Sequence, residues 1–363
     1  MSPMLKKVEK AGIAGLKTKR SPHKLTPTDF FSGVSNLKKQ FASLINLKDY
    51  ERVALAPSVS YGMANVTNNI KLESNENVVL LGDQFPSNVY PWMSLVKKHN
   101  AELVFVEKPK VEKKCGELWN KKILEKINKK TKVVSMGMVH WADGTIFDLE
   151  KIRKKTKEVG ALLIVDGTQS VGASTINVKD LHIDALICAG YKWLFGPYSM
   201  ALGYFSDKFK NGVPIEESWM NRSNAADFSN LTDYENKYKS MAGRYNVGQT
   251  TNFILSPIML RGLKQINKWG VKNIEEYCNQ LAENLLNKLK PLNFSFETKK
   301  YFKSHLFSLG LPCEINPLNL KNKLDNEKIY VSLRGSYIRV SINVFNNEED
   351  IEKLVSVIKR ELT

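Results

Sequence analysis

An acid, an amide and an amine stand close together in the middle of this chain. The apolar run Ala161-Leu162-Leu163-Ile164-Val165 ends in Asp166-Gly167-Thr168-Gln169-Ser170. The run Ile187-Cys188-Ala189 ends in Gly190-Tyr191-Lys192-Trp193-Leu194-Phe195-Gly196-Pro197. Each reads as a short buried strand with a polar tip, the pattern of a parallel α/β sheet whose chemistry gathers at the carboxyl ends of its strands. Such a sheet delivers Asp166, Gln169 and Lys192 to one edge. A lysine that can form a Schiff base, next to a carboxylate that can keep a ring nitrogen protonated, is the pair that pyridoxal phosphate requires to act as an electron sink. Taken singly, Asp166 reads equally as a helix cap and Lys192 as a surface lysine. Their joint spacing, with Gly-Pro after the lysine, argues against both readings.

Other elements must bring the rest of a site to that edge. Met1 to Pro27 is basic and irregular, broken by Ser21-Pro22-His23 and Thr26-Pro27, and is expected as an arm. Residues Thr28 to Ile45 carry apolar positions at a helical period. The strand Arg52 to Pro57 runs into Ser58-Val59-Ser60-Tyr61-Gly62 and a helix, and this arrangement makes an anion site, because free amides and the helix dipole meet there. Strands at Asn77 to Leu81, Glu102 to Glu107 and Val133 to Val139 alternate with helical stretches at Leu118 to Lys130 and Leu149 to Val159. Two of these strands end in tips that carry Phe85 and His140-Trp141. Ala201 to Phe205 reads as a return strand, and Pro214 to Ser240 as an irregular excursion. A long helix with an apolar stripe from Ile274 to Leu289 leads into a smaller unit, whose last strand is Ser336 to Ile342. The expected division is an arm over 1–27, a large domain over 28–256 and a small domain over 257–363.

The segment Val165-Asp166-Gly167-Thr168-Gln169-Ser170-Val171-Gly172, followed by Gly190-Tyr191-Lys192 and Gly196-Pro197, resembles the class V aminotransferase family of pyridoxal-phosphate enzymes. That family includes cysteine desulfurases, kynureninase and isopenicillin N epimerase. The order of elements extends the resemblance from about Phe30 to the C-terminus. It implies the fold type I architecture, an α/β fold with a large domain built on a mostly parallel seven-stranded sheet and a smaller C-terminal α+β domain. It also implies roles. Lys192 carries the cofactor and moves the α-proton. Asp166 pairs with the ring nitrogen, and Gln169 donates to the ring oxygen. Phe85 stacks on the ring where desulfurases place a histidine. Ser60 and Tyr61 take the phosphate, and Tyr191 reaches it from beside the lysine. Gln249, in Gly243-Arg244-Tyr245-Asn246-Val247-Gly248-Gln249-Thr250, contacts the phosphate of a partner subunit, which makes the protein a homodimer with shared active sites. Ile338-Arg339-Val340-Ser341 is similar to the family's C-terminal signature, whose arginine binds the substrate carboxylate as a planar fork. Arg334 is a second candidate for that task. Trp141 and His140 border the substrate, and Arg222 could meet an anionic one. The resemblance also implies that the segment before Thr28 packs on the small domain and can border the active site; the alternative is a surface arm.

Composition sets the outer limits. The 363 residues carry a formal charge of +17. The lysines are spread along polar helical positions, as a solvated surface would have them, so nucleic acid is not an expected partner. No apolar run reaches the length of a membrane span, and the N-terminus has no apolar leader. The four cysteines, at 115, 188, 278 and 313, have neither metal nor disulfide spacing and suit a reducing cytoplasm. Within the resemblance, the segment between Tyr330 and Arg339 has no cysteine where desulfurases carry their nucleophile. The tips around Phe85 and Trp141 look like the isopenicillin N epimerase-like branch. The expectation is an aminotransferase acting at the α-carbon of an amino acid. A carbon–sulfur lyase, a desulfurase or an epimerase is the alternative, and a binding or regulatory protein on the same fold is the non-enzyme alternative.

Overall fold

A computed structural model describes residues 1–111 and 114–362. In chain order the helices and strands are α1 (Lys6–Thr18), α2 (Asp29–Leu44), β1 (Val53–Ala56), α3 (Val59–Asn68), β2 (Asn77–Leu81), α4 (Tyr90–His99) and β3 (Glu102–Val106). Then come α5 (Cys115–Lys126), β4 (Thr131–Gly137), α6 (Leu149–Val159), β5 (Leu162–Asp166), β6 (Ala185–Ala189) and β7 (Ala201–Phe205). The last part holds α7 (Leu255–Trp269), α8 (Val271–Leu289), β8 (Leu306–Gly310), α9 (Pro317–Asn326), β9 (Ser332–Arg334), β10 (Tyr337–Ser341) and α10 (Glu348–Arg360).

The first seven strands form one sheet in the order β1-β7-β6-β5-β4-β2-β3. Neighbours from β3 to β6 pair in parallel, and β7 runs antiparallel to both β6 and β1. Strands β2, β6 and β7 are buried at every residue. That explains their continuous apolar sequences, because helices cover both faces. The sheet is therefore the seven-stranded, mostly parallel one expected, and a separate antiparallel sheet β8-β10-β9 forms the smaller unit. Parallel register puts Gly137 beside Asp166 and Asp166 beside Ile187, so the tips after β4, β5 and β6 open on one edge.

The N-terminal residues are not irregular throughout. Residues 6–18 form α1, which buries Val8, Gly12 and Gly15. A Cβ on Gly12 would lie 2.8 Å from Ile258, and one on Gly15 would run into the Phe253 carbonyl oxygen. The two glycines allow close helix packing against the start of α7, and they dilute the apolar periodicity that would reveal a helix in the sequence. Helix α7 also meets the site-bearing sheet, where Gly190 and Gly196 leave the room that the Met259 side chain fills.

Candidate active site

A cavity of about 300 Å³ opens at the carboxyl edge of the sheet. The tips after β1, β2, β4, β5 and β6 line it, with Ser58, Phe85, Trp141, Asp166, Gln169 and Lys192 among the contributors. A second cavity of about 120 Å³ lies on the other side of Lys192 and Gln169, and Arg339 lines it.

Lys192 follows β6 in a turn that returns to the strand, where the Gly196 amide donates to the Gly190 carbonyl at 2.8 Å. Two non-glycine residues of this turn, Phe195 and Ser199, hold left-handed φ values of 52° and 62°. Such strain persists only where the surroundings enforce it. Burial lowers the pKa of the Lys192 amine, the Asp166 carboxylate pulls it back up, and the Arg339 charge lowers it further. Asp166 closes β5. Burial raises its carboxyl, while hydrogen bonds from Thr168 and the Lys192 charge hold it down. The Thr168 amide donates to Asp166 Oδ1 at 3.0 Å, and the Thr168 hydroxyl accepts the Ala189 amide at 3.1 Å, which ties the tips of β5 and β6 together.

Phe85 stands on the cavity wall with its ring centre 5.5 Å from the lysine Nζ, and Trp141 meets Phe85 edge to face at 5.4 Å. The Trp141 indole donates to the Asp83 carbonyl at 2.6 Å. Tyr191 also lines the cavity and stacks on Tyr198 with ring centres 4.3 Å apart. Burial and Tyr198 push its hydroxyl up to about 12. Gln169 accepts the Trp193 indole N–H at 3.0 Å.

Arg339 donates through Nη1 to the Trp141 carbonyl at 2.5 Å and through Nη2 to Ser332 Oγ at 3.4 Å. Its Nε is buried without a partner. An unpaired donor edge on a buried guanidinium fits a carboxylate, which accepts from Nε and Nη2 side by side. Arg334 is exposed and lies over the Trp141 ring at 5.5 Å.

Several candidates fall elsewhere. His140 is buried in the core behind the loop, with Nδ1 3.2 Å from Asp143 and its ring against Trp119 at 4.9 Å. It does not line either cavity, because Asp143 and the Trp119 and Phe147 rings hold it inward while Trp141 faces out. Ser60 is exposed, and the Tyr61 hydroxyl donates to Glu216 at 2.8 Å. At the start of α3 the cavity wall consists of Ser58 and Val59 instead. Ser58 Oγ caps the Tyr61 amide, and the other first-turn amides, which lack intrahelical acceptors, offer a place for an anion there. Gln249 is exposed and lines neither cavity. Arg222 is paired with Glu217 at 2.5 Å.

Two residues to which the sequence assigns no role support the site. Thr168 holds Asp166 as described. His305 is fully buried; its Nε2 donates to the Gln169 carbonyl at 2.7 Å, and its ring meets Trp193 edge to face at 4.7 Å. Burial pushes it down to about 4, so it is neutral. Thr168 lies within the motif that carries the resemblance, whereas His305 carries no motif signal and lies 136 residues from the loop it holds.

Comparison with known families gives the same assignment. The model for aminotransferase class-V matches residues 16–354. The chain belongs to the class V aminotransferase family. It is 25% identical to a probable cysteine desulfurase of Pyrococcus abyssi over 344 residues, covering 89% of this chain and 81% of that one. It is 23% identical to an uncharacterised aminotransferase of Schizosaccharomyces pombe over 332 residues, covering 88% and 79%. Among solved structures, the cystine C-S lyase C-DES superposes with a TM-score of 0.85 at 15% identity, covering 98% of this chain and 94% of that one. A cysteine desulfurase from Thermococcus onnurineus NA1 gives 0.78 at 21%, covering 97% and 91%. The fold is that of the fold type I pyridoxal-phosphate enzymes, and this class V protein is a pyridoxal-phosphate-dependent enzyme. The residues present fit the cofactor. The cavity has the volume of a ligand pocket, a carboxylate raised by burial lies in it for a ring nitrogen, an amine of lowered pKa stands beside it, and a helix N-terminus stands at its wall for a phosphate. Among the described residues, no group of acids, cysteines or histidines could hold a metal ion, and no helix is long and apolar enough to cross a membrane.

Proposed function

We propose that this enzyme is an aminotransferase that acts at the α-carbon of an amino acid. The observation that carries this reading is the position of Lys192 between two cavities, one lined by Asp166 and the other by Arg339. When bound, pyridoxal phosphate supplies the electron sink that makes an α-proton removable. Asp166 keeps the ring nitrogen protonated, since a buried carboxylate is stabilised by a cationic partner. Arg339 orients the substrate carboxylate with its unpaired Nε edge. Lys192, whose pKa burial lowers against the pull of Asp166, is the amine placed to take and return the proton. Phe85 and Trp141 exclude water from one face.

A second reading is carbon–sulfur cleavage, which the names of the desulfurase relatives favour. The thiols argue against a relay through a protein cysteine. Cys115, Cys188 and Cys278 are buried, Cys313 is exposed on the loop after β8, and none of the four lines either cavity. The exposed Gln249 supports a homodimer in which this loop reaches the partner's site, and four unpaired cysteines support a cytoplasmic setting. The test is an absorbance titration of the cofactor-loaded protein with single amino acids. Stoichiometric conversion of one amino acid to its keto acid, with loss of the visible band, supports aminotransfer. Release of sulfide from cysteine at constant absorbance supports the second reading instead.

A further inference from the structure

Another cavity lies between α2 and the irregular segment that joins β7 to α7, and it opens to solvent. It shares no lining residue with the two cavities around Lys192. Phe30, Phe31 and Met220 give it apolar walls, and Lys38, Lys239 and Glu51 also line it. Lys38 stands four residues after Val34 and three before Phe41, on the face of α2 that packs into the core, and it is only 5% exposed. No described residue forms a hydrogen bond or ion pair with its amine. The Lys239 amine is half-buried and lies over the Phe31 ring at 4.6 Å. Glu51 is the carboxylate that acts on both amines. One carboxylate against two ammonium groups leaves a positive charge uncompensated in mostly apolar surroundings. A buried charge is costly until a partner of opposite sign meets it.

We infer that this cavity is a second binding site, for a small organic acid whose carboxylate meets Lys38 and Lys239 and whose apolar body lies against Phe30, Phe31 and Met220. The two lysines act as compact charges. The aromatic wall offers a contact that an inorganic anion cannot use. Lys38 belongs to α2 and Lys239 to the segment after β7, so the bound acid joins the two. Binding also carries a proton. The Lys38 amine lies at about 8, because burial lowers it, Glu51 pulls it up and Lys239 lowers it again. A carboxylate beside the amine favours its charged form. Binding at about pH 8 therefore draws a proton onto Lys38, whereas at about pH 6.5 the amine is already charged.

The experiment is titration calorimetry of the cofactor-loaded protein with benzoate, acetate and inorganic phosphate, in two buffers of different ionisation enthalpy. Lys38→Met keeps an unbranched side chain without the charge, a change that a buried position tolerates. Lys239→Met does the same on the other element. The wild type is expected to bind benzoate more tightly than acetate or phosphate. It should take up about half a proton per benzoate at about pH 8 and little at about pH 6.5. Each lysine variant should weaken benzoate binding by about tenfold or more, while Arg339→Lys retains the binding and its proton uptake. Selectivity and proton uptake are read on the wild type, so they decide even where a variant does not fold. Benzoate binding that Lys38→Met leaves unchanged overturns the inference. So do binding without proton uptake at about pH 8, acetate or phosphate binding as tight as that of benzoate, and the absence of any binding heat at millimolar benzoate.

Discussion

Lowering the pH from 7 to 5 should weaken the fold through His305. An unfolded histidine titrates near 6.5, whereas burial holds His305 down at about 4 in the native state. The folded pKa lies below the unfolded one, so the unfolded chain takes up this proton first as the pH falls. The stabilisation is therefore complete above about pH 6.5 and is lost progressively down to about pH 4. At pH 5 the unfolded imidazole is about 1.5 pH units below its pKa and the folded one is still neutral. At about 1.36 kcal/mol per unit the loss is about 2 kcal/mol. The same ring holds the Gln169 carbonyl at 2.7 Å and supports Trp193, so acid also loosens the loop between the two cavities. The assay is urea unfolding at pH 7 and pH 5 of the wild type and of His305→Gln, whose amide can still donate to Gln169 but cannot titrate. The wild type should lose about 2 kcal/mol more than the variant between the two pH values. Equal losses in the two proteins would refute the assignment of a buried, neutral His305.

Three further outcomes follow from the site. Asp166→Asn should keep the fold and lower turnover by about 10²-fold or more, because a buried cationic ring nitrogen loses its partner; steady-state kinetics at saturating cofactor check it. Arg339→Lys should raise KM for the amino acid by about 10- to 100-fold with a smaller change in kcat, since a lysine cannot offer the two-pronged edge; unchanged KM would remove Arg339 from carboxylate binding. Gly144→Ala should destabilise the protein by about 1–3 kcal/mol, because Gly144 has a φ of +81° and a Cβ would run into the Leu306 carbonyl oxygen; thermal unfolding measures it.

Much of this architecture is legible in the sequence, for a physical reason. Strands buried on both faces must be apolar throughout, so β5 and β6 stand out as runs whose polar ends mark the edge where Asp166 and Lys192 meet. The two residues are distant in chain order, yet parallel register leaves them little choice of position. Side-chain direction at a loop tip is much harder to read. His140 and Trp141 are adjacent, and only the packing of Trp119 and Phe147 shows that the histidine points inward. Nothing in the sequence around Tyr61 shows that its hydroxyl is taken by Glu216, 155 residues away. Helix α1 is hard to read from the sequence because the glycines that dock it are also helix breakers. His305 and the Ser2 hydroxyl, which donates to the Lys192 carbonyl at 2.6 Å, bond backbone carbonyls far along the chain, and such contacts leave no pattern in composition or periodicity.

The central claim is that Lys192 moves a proton at the α-carbon of an amino acid. The most direct measurement is exchange of the α-hydrogen in deuterated water, followed by proton NMR for a panel of single amino acids with the cofactor-loaded wild type and Lys192→Ala. Deuterium should enter the α-position of at least one amino acid with the wild type, and Lys192→Ala should abolish the exchange. Cofactor-loaded wild type that exchanges no α-hydrogen in any amino acid, or a Lys192→Ala variant that exchanges it at the wild-type rate, would contradict it.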